Sequence, residues 1–187
     1  MKKLFLLAVT TFICITLMGT DGFSFKLGGK EMMKNGTGTR TRSIFGTLYY
    51  ATLWVPAPLQ GKTGKEIIEA DQPMMIVLAI DSSLITRERF VEATSEGFAK
   101  SEASGYASPK KQAFLNLFDK VKISKGDVIS MGYAPAGLTT SIQYKETGKT
   151  ETLGTLAGLD LKKALFAIWL GPNPIQESLK NSLLSGK

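Results

Sequence analysis

Residues 40–55, RTRSIFGTLYYATLWV, restrict the fold of this chain more than any other stretch. The run is rich in Thr, Ile, Phe, Tyr and Trp, which favour β-strands, but its length exceeds that of a usual strand. Gly46 is the natural place for a bend or a hairpin, and Pro56 and Pro58 end the run. We therefore predict an extended segment that bends or turns back at Gly46.

A glycine-rich segment precedes this run. Asn35, Gly36 and Gly38 are residue types that permit a positive φ, so we predict a tight turn here. Arg40 and Arg42 follow two residues apart and should project from the same face of a strand, where they could meet an anion. The alternative is that both arginines are solvated charges at a strand edge.

The remaining elements are predicted from hydrophobic periodicity and turn signals. Further strands are expected at 23–27, 32–33, 73–80, 127–133, 139–144 and 150–155. Helices are expected at 65–70, 87–101, 109–121, 160–170 and 175–184, with N-terminal caps at Ser82-Ser83, Ser108 and Asp160. This order predicts an α+β domain with helices stacked on one face of a mainly antiparallel sheet, around the buried strand 73–80.

The sequence contains no histidine. This absence excludes Ser-His-Asp triads, HExxH zinc sites and imidazole bases. Residues 61–63, Gly-Lys-Thr, end like a phosphate-binding loop, but Pro56 stands where that motif needs its first glycine. We expect neither a cofactor nor a metal site.

The N-terminus has the layout of a signal peptide. The first residues, MKK, are basic, and residues 4–18 form an apolar run too short to cross a bilayer comfortably. Small or turn-forming residues follow. This layout predicts a signal peptide over residues 1–22, cleaved between Gly19 and Gly22, with an uncleaved anchor as the alternative. We expect one mature domain over residues 23–187, in the periplasm or secreted.

Charge and cysteine content restrict the partners of that domain. Cys14, the only cysteine, lies in the apolar run, so the cleaved chain would have no disulfide. The chain has 23 basic and 16 acidic residues; without Lys2 and Lys3 the surplus falls from +7 to +5. The basic residues are scattered, as at Lys162-Lys163, which predicts solvated faces and no nucleic acid partner. No later segment is apolar enough to span a membrane.

Five stretches occur in a specific order along the chain. They are NGTGTR at 35–40, YYATLWVP at 49–56, FVEATSEGF at 90–98, GDVISMGYAP at 126–135 and LFAIWLG at 165–171. In these motifs the chain resembles the chalcone isomerase-like family, in its bacterial exported branch. The resemblance implies an open-faced β-sandwich, in which a curved antiparallel sheet is layered with helices around a cleft. Family members either close a chalcone to a flavanone or bind fatty acids without catalysis.

The resemblance also implies where a ligand would be held. Arg40 matches the family's arginine that meets the ligand's oxygen or carboxylate. Tyr49 falls where the isomerase has a threonine that helps to hold water near the ketone. Phe90, Gly97 and Ile168 replace a tyrosine, an asparagine and a threonine of the isomerase site. Unlike the residues they replace, none of the three has a side-chain hydrogen-bond donor.

These replacements imply an apolar cleft with a charged end. Tyr49 or Tyr50 is expected to add a phenolic hydrogen bond to the same head group; the alternative is that both tyrosines pack in the sheet. In this interpretation the glycine turn aims Arg40 into the cleft. Arg42 has no family match and is predicted to be an edge or surface charge.

We therefore expect a non-catalytic periplasmic protein that binds a fatty acid or similar small apolar acid, with Arg40 at the polar end of its cleft. One alternative is an isomerase acting on a chalcone-like conjugated ketone. Another is a structural or interaction protein of the cell envelope. No catalytic residue is assigned, and the sequence leaves the oligomeric state open.

Overall fold

The computed structural model describes residues 24–186, so the predicted signal peptide lies outside the described residues. Within them the chain forms one sheet of seven strands whose spatial order follows the sequence. The strands are β1 (Phe25–Leu27), β2 (Lys30–Arg42), β3 (Gly46–Val55), β4 (Met74–Ile80), β5 (Val128–Ala134), β6 (Gly137–Gln143) and β7 (Thr150–Leu156). Every neighbouring pair is antiparallel, which confirms the predicted sheet.

Five α-helices complete the described part of the chain. They are α1 (Gly64–Glu69), α2 (Arg87–Ala103), α3 (Lys111–Asn116), α4 (Leu159–Leu170) and α5 (Glu177–Leu183). Their apolar side chains join those of one sheet face in a single large core. The architecture is therefore the α+β open-faced sandwich that the sequence predicts. Between residues 24 and 186, none of the helices has the length and apolar character needed to cross a bilayer.

Strand β3 lies beside the central strand β4, and from Ala51 to Val55 it is buried on both faces. Tyr49, Ala51 and Leu53 point into the large core beneath the helices. Trp54 points to the opposite face, where its ring meets that of Phe25 edge to face with centroids 5.3 Å apart. Successive side chains of β3 point to opposite faces of the sheet and so contribute to two cores. This explains why most residues of β3 are apolar.

The glycine-rich segment is not a turn, contrary to the sequence prediction. Gly36 and Gly38 lie inside β2, and neither has a positive φ. Their role is to leave space for α5. A Cβ atom on Gly36 would overlap the carbonyl oxygen of Ser182 and lie 2.7 Å from that of Leu183. The glycines therefore let the last helix rest directly on the strand.

Asn35 is also part of this contact instead of a turn residue. Its side chain is fully buried. Its Nδ2 donates to the carbonyl oxygen of Leu183 over 2.8 Å, and its Oδ1 accepts from the backbone N–H of Gly61 over 3.0 Å. The turn between β2 and β3 comes later, where Gly46 has φ 68°, and this confirms the predicted bend at Gly46.

Three helix starts differ from the prediction. Helix α3 begins at Lys111 and follows Lys110, so Ser108 is not its cap. Helix α2 is capped by Thr86, whose Oγ1 accepts from the backbone N–H of Arg89, instead of by Ser82-Ser83. Helix α4 begins after Gly158. The expected cap, Asp160, lies in the first turn and accepts hydrogen bonds from Ser108 and Lys110. It therefore joins two segments of the chain.

The predicted helix 109–121 is much shorter in the structure. Helix α3 ends at Asn116 because the next hydrogen bonds span three residues. Leu117 donates to Phe114 over 3.2 Å, and Phe118 donates to Leu115 over 3.1 Å. The apolar periodicity that predicted a long helix continues through these tighter turns.

Lys162 is not on a solvated face. The side chain is fully buried, and its Nζ donates to the carbonyl oxygens of Ile67, Ile68 and Ala70 at 2.9, 2.7 and 2.7 Å. These carbonyls end α1, so the ammonium group caps the helix where its dipole favours a cation. The neighbouring Lys163 is partly exposed and pairs with Glu69.

Candidate functional site

A cleft of about 480 Å³ opens between the β2–β3 hairpin and α2. Its apolar wall is formed by Leu48 on β3, by Leu84 and Ile85 before α2, by Ala93 on α2 and by Ile175 before α5. Charged side chains surround this wall: Arg40, Arg42, Arg89, Lys100, Glu92 and Glu96. Four cations and two carboxylates leave the cleft with a positive surplus, which favours an anionic ligand.

Arg40 is the half-buried cation of the cleft. Its Nη1 donates to Gln176 Oε1 over 2.9 Å and to the carbonyl oxygen of Thr41 over 3.3 Å. Among residues 24–186 no carboxylate lies within salt-bridge distance of Arg40, and its Nε and Nη2 have no hydrogen-bond partner. The guanidinium is therefore held from one side and can still donate to an anion.

Gln176, the residue before α5, holds Arg40 in place. Besides Arg40, its Oε1 accepts from the backbone N–H of Thr41 over 3.1 Å, and its Nε2 donates to the carbonyl oxygen of Thr39 over 3.4 Å. A register shift in β2 follows Arg40, so the strand is irregular at this point. The amide of Gln176 spans this irregularity and fixes the direction of the guanidinium.

Tyr49 lies opposite Arg40 in the pairing of β2 with β3 and lines the same cleft. Its hydroxyl accepts a hydrogen bond from Trp169 Nε1 over 3.1 Å. Burial raises the pKa of Tyr49 to about 12, although the hydrogen bond from Trp169 and the charge of Arg40 act in the opposite direction. The phenol is therefore neutral at physiological pH and keeps its proton as a hydrogen-bond donor.

Ile168 occupies the space that a side chain at position 97 would need. Gly97 lines the cleft, and a Cβ atom there would lie 2.7 Å from Cγ2 of Ile168. Ile168 is buried on α4 and lies beneath the cleft. The side chain of Ile168 thus fills the gap left by Gly97. Helices α2 and α4 approach each other closely here and close the floor of the cleft.

Like Ile168, the other two predicted residues do not line the cleft. Phe90 is buried on α2 and packs on Phe118, with ring centroids 4.9 Å apart. Tyr50 is 45% exposed and lies on the opposite face of β3 from Tyr49. The structure therefore brings Arg40, Tyr49 and Gly97 together and leaves the remaining predicted residues in the core or outside.

Two residues of the candidate site differ from the sequence prediction: Arg42 was expected elsewhere, and Gln176 was not predicted. Arg42 was expected at an edge or on the surface; its side chain is exposed, but it lines the cleft as well. The Arg-x-Arg spacing was the available signal. Gln176 carries no such signal, because it lies 136 residues from Arg40 along the chain. Across the described residues, no cluster of His, Cys, Asp and Glu side chains suits a metal ion.

Comparisons with known proteins agree with this fold. In a crystal structure, the fatty-acid binding protein of Arabidopsis thaliana has the same fold, with a TM-score of 0.60 and 20% sequence identity. The match covers 87% of this chain and 96% of the other. Curated protein sequences contain no significant match. The model of a family described as "Chalcone isomerase-like" matches residues 21–185, which confirms the resemblance seen in the sequence. The chain therefore belongs to the chalcone isomerase-like family.

Proposed function

We propose that this chain is a non-catalytic binding protein for a fatty acid or a similar small apolar acid, whose carboxylate binds Arg40. The observation that carries the proposal is the guanidinium of Arg40, which lies in the cleft without a carboxylate partner among residues 24–186. A carboxylate would accept from its Nε and Nη2 in a bidentate pair. Tyr49, directly opposite, would add a neutral phenolic donor.

The apolar wall of the cleft suits the rest of such a ligand. Leu48, Ile85 and Ile175 would contact an alkyl chain that leads away from the carboxylate. Each methylene removed from water contributes about 0.8 kcal/mol, against about 1.5–3 kcal/mol for a hydrogen bond to a charged group. A tail of several carbons would therefore contribute more to affinity than the head group. The cleft volume of about 480 Å³ also falls within the range usual for small-molecule sites.

The family comparison supports binding over catalysis. The Arabidopsis protein with this fold is described as a fatty-acid binding protein. At the positions where the resemblance places polar groups of the isomerase, Phe90 and Ile168 are buried apolar side chains and Gly97 has none. None of them can polarise a ketone, whereas Arg40 remains available to an anion.

Replacing Arg40 with leucine is expected to weaken dodecanoate binding by roughly 10- to 100-fold, because the charge-assisted bonds to the carboxylate are lost. Calorimetric titration would measure the dissociation constant. Dodecanol, which has no carboxylate, should bind the wild type and Arg40→Leu with similar affinity. Arg87→Leu is the matched control, since Arg87 lies outside the cleft and pairs with Glu88.

Equal dodecanoate affinity in the wild type and Arg40→Leu would contradict the proposed role of Arg40. Because Arg40 also contacts Gln176, thermal unfolding of the variant should be compared with the wild type. Only a variant that is folded at the assay temperature tests the ligand contact.

We also propose that the protein is exported, as in the bacterial exported branch of the family, and acts in the periplasm or outside the cell. Support comes from the N-terminal layout of basic, apolar and small residues. The intact mass of the protein from the extracytoplasmic fraction of its native cell should match a chain that begins at one of residues 20–22. Recovery of the uncut chain from the cytoplasm would refute the proposal.

A further inference from the structure

The tip of the β2–β3 hairpin carries the two most exposed large apolar side chains in the described part of the chain. Ile44 is 89% exposed and Phe45 is 52% exposed. The turn around them is held by its backbone, with the N–H of Phe45 donating to the carbonyl oxygen of Arg42 over 2.8 Å. The hairpin therefore does not need these side chains to fold, and we call Ile44 and Phe45 the apolar tip.

Positive charge surrounds the apolar tip. Phe45 lines the cleft together with Arg42 and Arg89. Neither arginine has a carboxylate within salt-bridge distance among residues 24–186. Arg40 and Lys100 also line this cleft and add to its positive charge. The two carboxylates, Glu92 and Glu96 on α2, are too few to neutralise the four cations.

This combination fits the surface of an anionic membrane. An apolar side chain enters the boundary between head groups and acyl chains, while arginines beside it meet lipid phosphates. A second copy of the chain fits less well, because a symmetric contact through this surface would bring like charges together. The charge surplus of +5 that remains without Lys2 and Lys3 acts in the same direction.

We propose that the apolar tip docks on an anionic lipid surface and places the mouth of the cleft at the membrane. The docking contact itself requires neither an occupied cleft nor the carboxylate contact of Arg40. It would give an apolar ligand a short path between bilayer and cleft, without exposure of its alkyl chain to water.

A fluorescent label on the tip tests the contact locally. The full chain would carry Cys14→Ser, which removes its only cysteine, and Ile44→Cys labelled with an environment-sensitive dye. Vesicles of phosphatidylcholine and phosphatidylglycerol in equal parts would be compared with pure phosphatidylcholine. The label should shift to shorter wavelength and be quenched by brominated acyl chains only with the anionic vesicles. Adding Arg42→Glu should weaken this response by roughly tenfold or more.

The control label is Ala136→Cys, on the exposed turn between β5 and β6 at the other end of the sheet. It should be quenched less than the label at position 44. The described chain begins at this same end of the sheet, so attachment through residues 4–18 alone would quench position 136 instead of position 44. Three results would overturn the proposal: no response at position 44, equal responses with neutral and anionic vesicles, or a response that rises with protein concentration before vesicles are added. The last result would assign the tip to a second copy of the chain.

Discussion

Replacing Lys162 with methionine is expected to lower the free energy of unfolding at pH 7 by about 3 kcal/mol. Methionine has a similar length, so it fills the space but leaves the carbonyl oxygens of Ile67, Ile68 and Ala70 without their donor. These groups end α1 in a buried environment where water cannot replace the ammonium group. Urea denaturation followed by circular dichroism would measure the change.

The adjacent residue gives the matched control. Lys163 is partly exposed and pairs with Glu69 at the surface, so Lys163→Met should cost less than about 1 kcal/mol. Similar losses for the two variants would show that the three carbonyl contacts of Lys162 contribute little to stability.

The cost of the Lys162 substitution should also depend on pH. Burial lowers the pKa of Lys162 to about 7, and the charge of Lys163 acts in the same direction. Between that pH and the ordinary pKa of lysine, the unfolded chain binds a proton that the folded chain does not. The wild type should therefore gain stability as pH rises above 7, by up to about 1.4 kcal/mol per pH unit, relative to Lys162→Met. Parallel pH profiles for the two proteins would contradict the lowered pKa.

A Gly36→Ala variant should lose about 3 kcal/mol of unfolding free energy. The new methyl group would overlap the backbone carbonyl of Ser182, and a backbone cannot move aside as a flexible side chain can. Helix α5 would have to lift from β2. Limited proteolysis should therefore cut the last helix of the variant faster than that of the wild type.

Gly132 on β5 is the control for this substitution. It also lies in a strand without a positive φ, but the nearest atom to an added Cβ is the terminal methyl of Met75, at 3.1 Å. That side chain can rotate, so Gly132→Ala should cost less than about 1 kcal/mol. If Gly36→Ala is as stable as Gly132→Ala, the close approach of α5 does not constrain position 36.

Most of the sheet could be predicted from the sequence because its signals are local. The continuous apolar residues of β4 and the bend at Gly46 are visible within a few neighbours along the chain. The turn predicted at residues 35–38 was wrong because the contacts of this segment are distant in the sequence. Asn-Gly and Gly-x-Gly usually indicate a turn, but here Asn35 and both glycines serve a helix about 145 residues away.

The candidate site was predictable only in part, and for the same reason. Arg40 was separated from Arg42 by the family resemblance alone, since both are charged, belong to one strand and line the cleft. Phe90 and Ile168 are apolar as expected, but their depth depends on how α2 and α4 pack. Burial of Lys162 depends on where α1 ends, and a pair of adjacent lysines gives no indication of it.

We expect the contact of α5 with β2 to make binding of the proposed ligand a late event in folding. Gln176, which directs Arg40, and Leu183, which receives the amide of Asn35, lie 136 and 148 residues beyond their partners. Loops of this length close slowly, after the local hairpins have formed. A chain still lacking its last segment would have the sheet but no directed guanidinium. The proposed binding site would therefore be complete only after β2 and α5 have come into contact.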